Sequence, residues 1–256
     1  MDDLELLETY CPLLRLDSRE RFPPCSPETF VSCPRVTLRR SSGRVVAGPP
    51  ELSLALLGPD RYGDGGEVAV GADRLGHAGR DYESSMLEVL EARPELADVI
   101  YGRSVVQGVD QWLQYWIFYF YNAGVSRHEG DWECAQVLLR WGRPMRVALA
   151  QHRHVEVVPW ADVELHEGTQ RPVLYVARDT HATLHERGRH GLDVCDGEGR
   201  LVDPRLEVMP TTGWPLCRAR VGDTRGNPDR PWETTSPPMP GRTRQWSNPS
   251  GWASGT

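Results

Sequence analysis

The run Trp112-Leu113-Gln114-Tyr115-Trp116-Ile117-Phe118-Tyr119-Phe120-Tyr121-Asn122 can be housed in few ways. Interrupted by Gln114, it is half the length that a bilayer-crossing helix needs, about 20 apolar residues. Its aromatic content favours a strand, whose side chains alternate between two faces. Trp112, Gln114, Trp116, Phe118, Phe120 and Asn122 then share one face, and Leu113, Tyr115, Ile117, Tyr119 and Tyr121 the other. Both sets are apolar, so the strand is expected at the centre of a sheet.

Segments of similar character surround it. Ile100 to Val106, Trp132 to Trp141 and Met145 to His152 carry β-branched and aromatic residues with turn residues between, and read as consecutive strands of that sheet. Glu67 to Gly71 and Arg171 to Ala177 read as further strands. Short strands are expected between Thr9 and Val46, broken by Pro23-Pro24 and the turn Ser41-Ser42-Gly43, and Gly58 to Gly66 reads as a surface loop. Helical spacing of Met86, Val89, Leu90 and Leu96 predicts a helix over Tyr82 to Leu96, ended or kinked by Pro94. A second short helix is expected from Thr180 to Arg187. The fold class is therefore mainly β with a few short peripheral helices, in one domain over 1–221. Beyond it, 222–256 is rich in Pro, Gly and Ser, a composition that resists ordering. Trp232, Trp246 and Trp252 favour an extended segment packed on the same domain.

Charge and cysteine content narrow the function classes. A net charge of −7 argues against a broad phosphate-binding face, so nucleic acid is not an expected partner. All 29 basic residues are Arg, which removes a lysine Schiff base from consideration. The acidic start Met1-Asp2-Asp3-Leu4-Glu5 lacks the features of a secretory signal, no transmembrane segment is visible, and a soluble, cytoplasmic protein is expected. Six dispersed Cys residues without a CxxC pair read as reduced thiols.

The chemistry concentrates in Ser126-Arg127-His128-Glu129-Gly130-Asp131-Trp132-Glu133, where an imidazole and three carboxylates precede an apolar strand. Like charges this close repel unless a cation or proton lies among them. If Asp131 begins the strand, Asp131 and Glu133 share a face. Such oxygen-rich sets suit Mg, Mn or Ca. A zinc-protease helix requires a second His four residues after His128, and Trp132 stands there. A solvated acidic turn is the plain alternative. Downstream, Gln151-His152-Arg153-His154 closes a strand, and His181 and His185 are four apart, a spacing that can clamp a metal on a helix.

Taken together, Gln114-Tyr115-Trp116, Phe118-Tyr119, Asn122, the hexad HEGDWE, Gln151-His152 and Thr180-His181-Ala182 resemble the vacuolar protein sorting protein 62 family. The resemblance extends to Cys11-Pro12-Leu13 and Glu20-Arg21-Phe22-Pro23-Pro24, which look like that family's opening strand, and to Ser236-Pro237-Pro238 and Trp246. More distantly, the hexad is similar to the GHRHDWE heptad of the necrosis- and ethylene-inducing peptide-like cytolysins, which contributes to a divalent-cation site. That likeness implies a β-sandwich-like arrangement of antiparallel sheets. It places His128, Asp131 and Glu133 at the heptad's first His, Asp and Glu, while Gly130 replaces its second His. The cytolysins are secreted and engage membrane sphingolipids.

The leading expectation is an enzyme dependent on one divalent cation (Mg, Mn or Ca), a hydrolase or a lyase/cyclase. Asp131 and Glu133 would hold the metal with His128 and Asn122. His152 or His181 would transfer a proton, and Trp116, Phe118 and Phe120 would bind the apolar part of a small-molecule or lipid-like substrate. The substrate class is a phosphate ester or isoprenoid diphosphate. The alternatives are a non-catalytic, cation-dependent lipid- or glycan-binding module of cytolysin type, and a structural metal in an interaction protein.

Overall fold

The computed structural model of the chain describes residues 1–40, 44–57, 68–72, 79–124, 127–152, 154–212, 220–221, 246 and 248–254. The chain opens with α1 (Asp3–Thr9), closed by a reciprocal capping box between Asp2 and Glu5. It continues through β1 (Leu13–Leu16), α2 (Pro27–Val31), β2 (Val36–Arg40), β3 (Val45–Ala47), β4 (Val68–Ala72) and α3 (Gly79–Ala92). Next come β5 (Val99–Gln107), β6 (Asp110–Asn122), β7 (His128–Arg140), β8 (Arg143–Gln151) and β9 (His154–Pro159). Shorter elements complete the chain: β10 (Val173–Val176), β11 (Thr183–Leu184), β12 (Gly188–His190), β13 (Asp193–Cys195), β14 (Leu201–Val202), β15 (Arg205–Val208), β16 (Arg220–Val221) and α4 (Pro249–Ala253).

The fold is mainly β, as expected. A six-stranded sheet of order β15-β5-β6-β7-β8-β9 forms the centre, antiparallel except where β15 joins β5 in parallel. The doubly apolar run is its third strand. Leu113, Tyr115, Ile117 and Tyr119 belong to one buried cluster with Ala135 and Val137 of β7 and with Leu14, Leu16, Leu174 and Val176. The last four come from a second sheet, β11-β10-β1-β14. Trp116, Phe118 and Phe120 join a different cluster with Phe30 of α2, Val36 and Leu38 of β2, and Met86 and Val89 of α3. The central sheet is thus covered on both faces. A third sheet, β16-β4-β2-β3, contributes to the second layer through β2. Each fully buried aromatic or aliphatic side chain contributes about 1.5–3 kcal/mol relative to exposure, which is why β6 cannot sit at an edge.

Three local expectations change. The helix over Tyr82 to Leu96 begins earlier, at Gly79, and stops at Ala92, and Pro94–Leu96 forms a separate 3-10 turn. Pro94 has no N–H to donate within a helix. The helix expected from Thr180 to Arg187 is absent: Thr183 and Leu184 pair with Val176 and Tyr175, and Asp179 and His181 adopt φ of 66° and 59°. A right-handed helix does not admit those angles. Between Thr9 and Val46, α2 was not expected; Ser26 caps it through its hydroxyl and Pro27 opens it. The turn Ser41-Ser42-Gly43 and the loop Gly58 to Gly66 lie outside the described residues.

The described C-terminal residues rest on the same domain. Trp246 is buried against Trp116, and the guanidinium carbon of Arg103 stands 3.8 Å from its ring centre. Trp112 Nε1 donates to Ser250 Oγ at 2.8 Å. Cys11, Cys25, Cys33, Cys134 and Cys195 are free buried thiols, and Cys217 lies outside the described residues. No helix among the described residues is long and apolar enough to cross a membrane.

Candidate functional site

Gly130 shapes the site. Along β7, Asp131 and Glu133 stand opposite Tyr119 and Ile117 of β6, so both carboxylates belong to the Tyr119 face. Strict alternation would carry Glu129 to that face and His128 to the other. Gly130, at φ 66°, breaks the alternation without shifting the register: Glu129 still pairs with Tyr121 and His128 with Asn122. A left-handed residue inside a strand reorients its neighbours, and only Gly adopts it without a Cβ penalty. On the paired strand Tyr121 joins Phe120 in the helix-covered cluster. His128 and Asn122 swing round to Asp131.

Asp131 is the hub. His128 Nε2 stands 3.2 Å from its Oδ1, Asn122 Nδ2 donates to Oδ2 at 2.9 Å, and His181 Nδ1 reaches Oδ2 at 2.7 Å. His181 is fully buried and stacked on Tyr119, with ring centres 4.0 Å apart and planes 4° off parallel. Its Nε2 lies 3.4 Å from Glu20 Oε1, an ion-pair distance without hydrogen-bond alignment. Glu20 is locked in turn: Oε1 accepts from the Arg21 and Phe22 amides and Oε2 from the Asp179 amide. Burial alone would push His181 down, but the charge of Glu20 and the hydrogen bond to Asp131 outweigh it and raise its pKa to about 9. Burial likewise opposes the ionised form of Asp131, yet hydrogen bonds and charge from His128 and His181 hold it well below the carboxylate range. Burial also opposes the ionised form of Glu20, and the His181 charge leads the interactions that keep it below its ordinary value.

The turn that delivers His181 is pinned to the end of β6. The amides of Ala123 and Gly124 both donate to Asp179 O, and His181 N donates to Ala177 O. A Cβ on Gly124 would meet Thr180 Cγ2 at 2.7 Å, so the approach needs glycine there. Beside this turn, Asp193 Oδ1 accepts from Thr180 Oγ1 at 2.6 Å and pairs with His152 Nε2 at 3.0 Å. His152, at φ 55°, is about half exposed on its side chain. Among the described residues five non-glycine positions have positive φ, and three of them, His152, Asp179 and His181, gather here; such backbone concentrates at functional sites.

The sequence expectations are realised unevenly. His128, Asp131 and Asn122 come together, and Glu133 shares their face. Asn122 meets Asp131 with an N–H donor, while its Oδ1 accepts from Gly124 N. Its amide therefore orients the carboxylate. His181 reaches the same carboxylate, whereas His152 pairs with Asp193. Trp116, Phe118 and Phe120 lie in the other layer and are buried, so they do not wall this site. The aromatic wall is Tyr119, assigned to the opposite strand face by the same two-residue period. Glu20 and Asp193 were missed; neither stands near the hexad in sequence. His185 is also away from Asp131, with Nδ1 2.8 Å from Glu156 Oε1.

Tyr119 Oη is buried and has no hydrogen-bond partner among the described residues. Burial, followed by the charges of Glu133, Glu20 and Asp131, drives its pKa well above the phenol range. The ring of His181, stacked on Tyr119, is the nearest cationic group described. Neighbouring ligands on an octahedral hard cation at about 2.1 Å lie roughly 3 Å apart, close to the separation of His128 Nε2 and Asp131 Oδ1. Among the described residues no three His, Cys, Asp or Glu side chains converge as a metal-binding set.

No family model matches the chain, and no curated protein matches it. Solved structures are similar to it at low identity. The necrosis- and ethylene-inducing protein 2 from the causal agent of cocoa's witches' broom disease shares 16% identity at a TM-score of 0.40, covering 79% of this chain and 72% of its own. The protein NLPPya, solved in complex with glucosamine, shares 10% identity at a TM-score of 0.41, covering 80% and 72%. A structure described as a toxin fold for microbial attack and plant defense shares 12% identity at a TM-score of 0.39, covering 80% and 74%.

Proposed function

We propose that this chain is a non-catalytic binding module that uses one hard divalent cation to recognise the oxygen-rich head group of a glycan or lipid. The observation that carries the reading is the orphaned, buried Tyr119 hydroxyl among Glu20, Asp131 and Glu133, beside a His128 and Asp131 pair at ligand spacing. His128, Asp131 and Glu133 would hold the ion, and Asn122 and His181 would orient Asp131 from behind through Oδ2. The bound cation supplies a Lewis-acidic charge able to accept hydroxyl or phosphate oxygens from a ligand. The HEGDWE hexad and its partners support placing the chain beside the vacuolar protein sorting protein 62 family.

An enzyme is the second reading, and one observation favours it: His152 is half exposed and oriented by Asp193. His181 is unsuited to proton transfer with a ligand, because both ring nitrogens face carboxylates and one ring face is covered by Tyr119.

Calorimetric titration with Mg, Mn and Ca tests the cation site that both readings share, and a turnover assay separates them. We expect about one site in the wild type and none in Asp131→Ala/Glu133→Ala. Saturation at about 100 times Kd should add about 2.7 kcal/mol of stability. Soluble hexoses and inositol phosphates should then bind only in the presence of the ion. Unchanged cation binding in the double variant removes the site. Turnover of a phosphate ester that disappears in His152→Ala replaces the module by the enzyme.

A further inference from the structure

The opposite end of the central sheet has a different character. Counting along β6 from Asn122 to Asp110, it lies about 40 Å from the Asp131 cluster. Two hairpin tips stand there side by side, Gly108-Val109 between β5 and β6, and Trp141-Gly142 between β7 and β8. The pair Asp110 and Arg140 links them across the sheet. Trp141 is 81% exposed, and Val106 (67%), Val109 (58%) and Met145 (46%) leave further apolar surface uncovered at this end of the sheet.

Two features separate this tip from ordinary surface. Trp141 and Gly142 have φ of 50° and 74°, the two-residue hairpin geometry that favours Asn-Gly or Asp-Gly. A bulky aromatic in left-handed backbone is strained by about 1–2 kcal/mol, and here no burial offsets that cost. The second feature is charge. Although the chain carries −7 overall, the run Arg140-Trp141-Gly142-Arg143-Pro144-Met145-Arg146 holds three Arg and no acid. Arg140 is neutralised by a bidentate pair with Asp110. Arg143 is exposed and pairs with no carboxylate among the described residues, whereas Arg146 turns inward, its guanidinium carbon 5.8 Å from the ring centre of buried Trp112 and its Nε buried. The acidic first turn of α1 lies on the β5 side, where Asp3 accepts from Gln111. The arginines lie on the β7 and β8 side, next to the Trp.

We infer that the Trp141 hairpin is a docking tip for an anionic lipid bilayer, with Trp141 entering the interface and Arg143 facing the head groups. An indole at a loop apex has an apolar body and one polar N–H, the combination that partitions to the boundary between water and hydrocarbon. An exposed arginine just behind it, Arg143, adds attraction to anionic lipid. This surface is independent of the Asp131 site and does not require its cation.

The test is co-sedimentation of the full chain, in EDTA to silence the cation site, with vesicles of phosphatidylcholine alone or with about 30% phosphatidylserine, an ordinary anionic fraction. Wild type should bind the anionic vesicles and release as salt rises. Trp141→Asn, which suits the turn, should keep or raise Tm and weaken binding by about tenfold or more. Arg143→Gln should weaken it by about fivefold. Equal binding by wild type and Trp141→Asn, or no preference for the anionic vesicles, overturns the inference. So does a Trp141-dependent dimer in analytical ultracentrifugation without vesicle binding, which would assign the tip to a second copy.

Discussion

Asp131 and Glu129 are two residues apart on one strand, both buried, and both carboxylates, yet they live in different layers of the molecule. Asp131 faces His128, Asn122 and His181, while Glu129 accepts a 2.6 Å hydrogen bond from the Tyr82 hydroxyl, whose ring is stacked on Tyr121. Chemistry at the two positions is nearly the same; the surroundings are not. Gly130 between them decides which acid joins the imidazoles, and the difference shows that a carboxylate-rich motif acquires its function from the faces its backbone selects.

Removing the hub should have the largest effect. Asp131→Ala leaves His181 with one carboxylate in a buried site, and loss of one partner from a buried pair typically costs about 3–5 kcal/mol. At this chain length that is a fall in Tm of roughly 10 °C, measurable by scanning calorimetry. If the variant melts like wild type, the Asp131 network contributes nothing to stability and the contrast with Glu129 fails.

A pH series on the wild type sharpens the same contrast. His181 has a folded pKa of about 9 against 6.5 unfolded, so its contribution is complete below pH 6.5 and is lost as pH rises through 9. That contribution is on the order of 3 kcal/mol. Asp131 is depressed, so its share is present above its ordinary value of 3.8 and is lost as pH falls below it. Tm should therefore be highest between about pH 4 and 6.5 and decline towards pH 9. Asp131→Asn should flatten the alkaline decline; an unaltered decline assigns it to other groups.

Gly130→Ala comes next. A Cβ in left-handed backbone costs about 1–2 kcal/mol. The more telling readout is the site, since a strand restored to alternation carries His128 away from Asp131. We expect cation affinity in titration calorimetry to fall by more than the stability loss accounts for. Retained affinity would show that His128 reaches Asp131 without the kink. The smallest effect is expected at Tyr82→Phe, about 1 kcal/mol for one hydrogen bond, with cation binding unchanged because Tyr82 serves the other layer.

The hexad was legible because its residue types are unusual together, and the strand period correctly united Asp131 with Glu133 and Tyr119 with neither Trp116 nor Phe118. The period failed at His128, where the pattern cannot reveal the positive φ of Gly130, and at its strand partner Asn122. Glu20 and His181 could not be joined from the sequence: 161 positions separate them, and a loop after β1 and a turn after β10 bring them together because β1 and β10 are parallel neighbours in one sheet. The helix expected around His181 failed for a related reason. Local composition there permits a helix, but pairing of Thr183 and Leu184 with β10 prevails.

The sequence by itself determined the central strand, because eleven residues apolar on both faces from Trp112 to Asn122 can be buried only between two layers. It determined equally that negative charge is crowded at the start of β7. Only the tertiary structure decided which groups meet that charge. Interaction between charges depends on distance through space and on local polarity, neither of which is written in the spacing of residues along a chain. Glu20, Tyr119 and His181 became the neighbours of Asp131 through sheet order and one left-handed glycine.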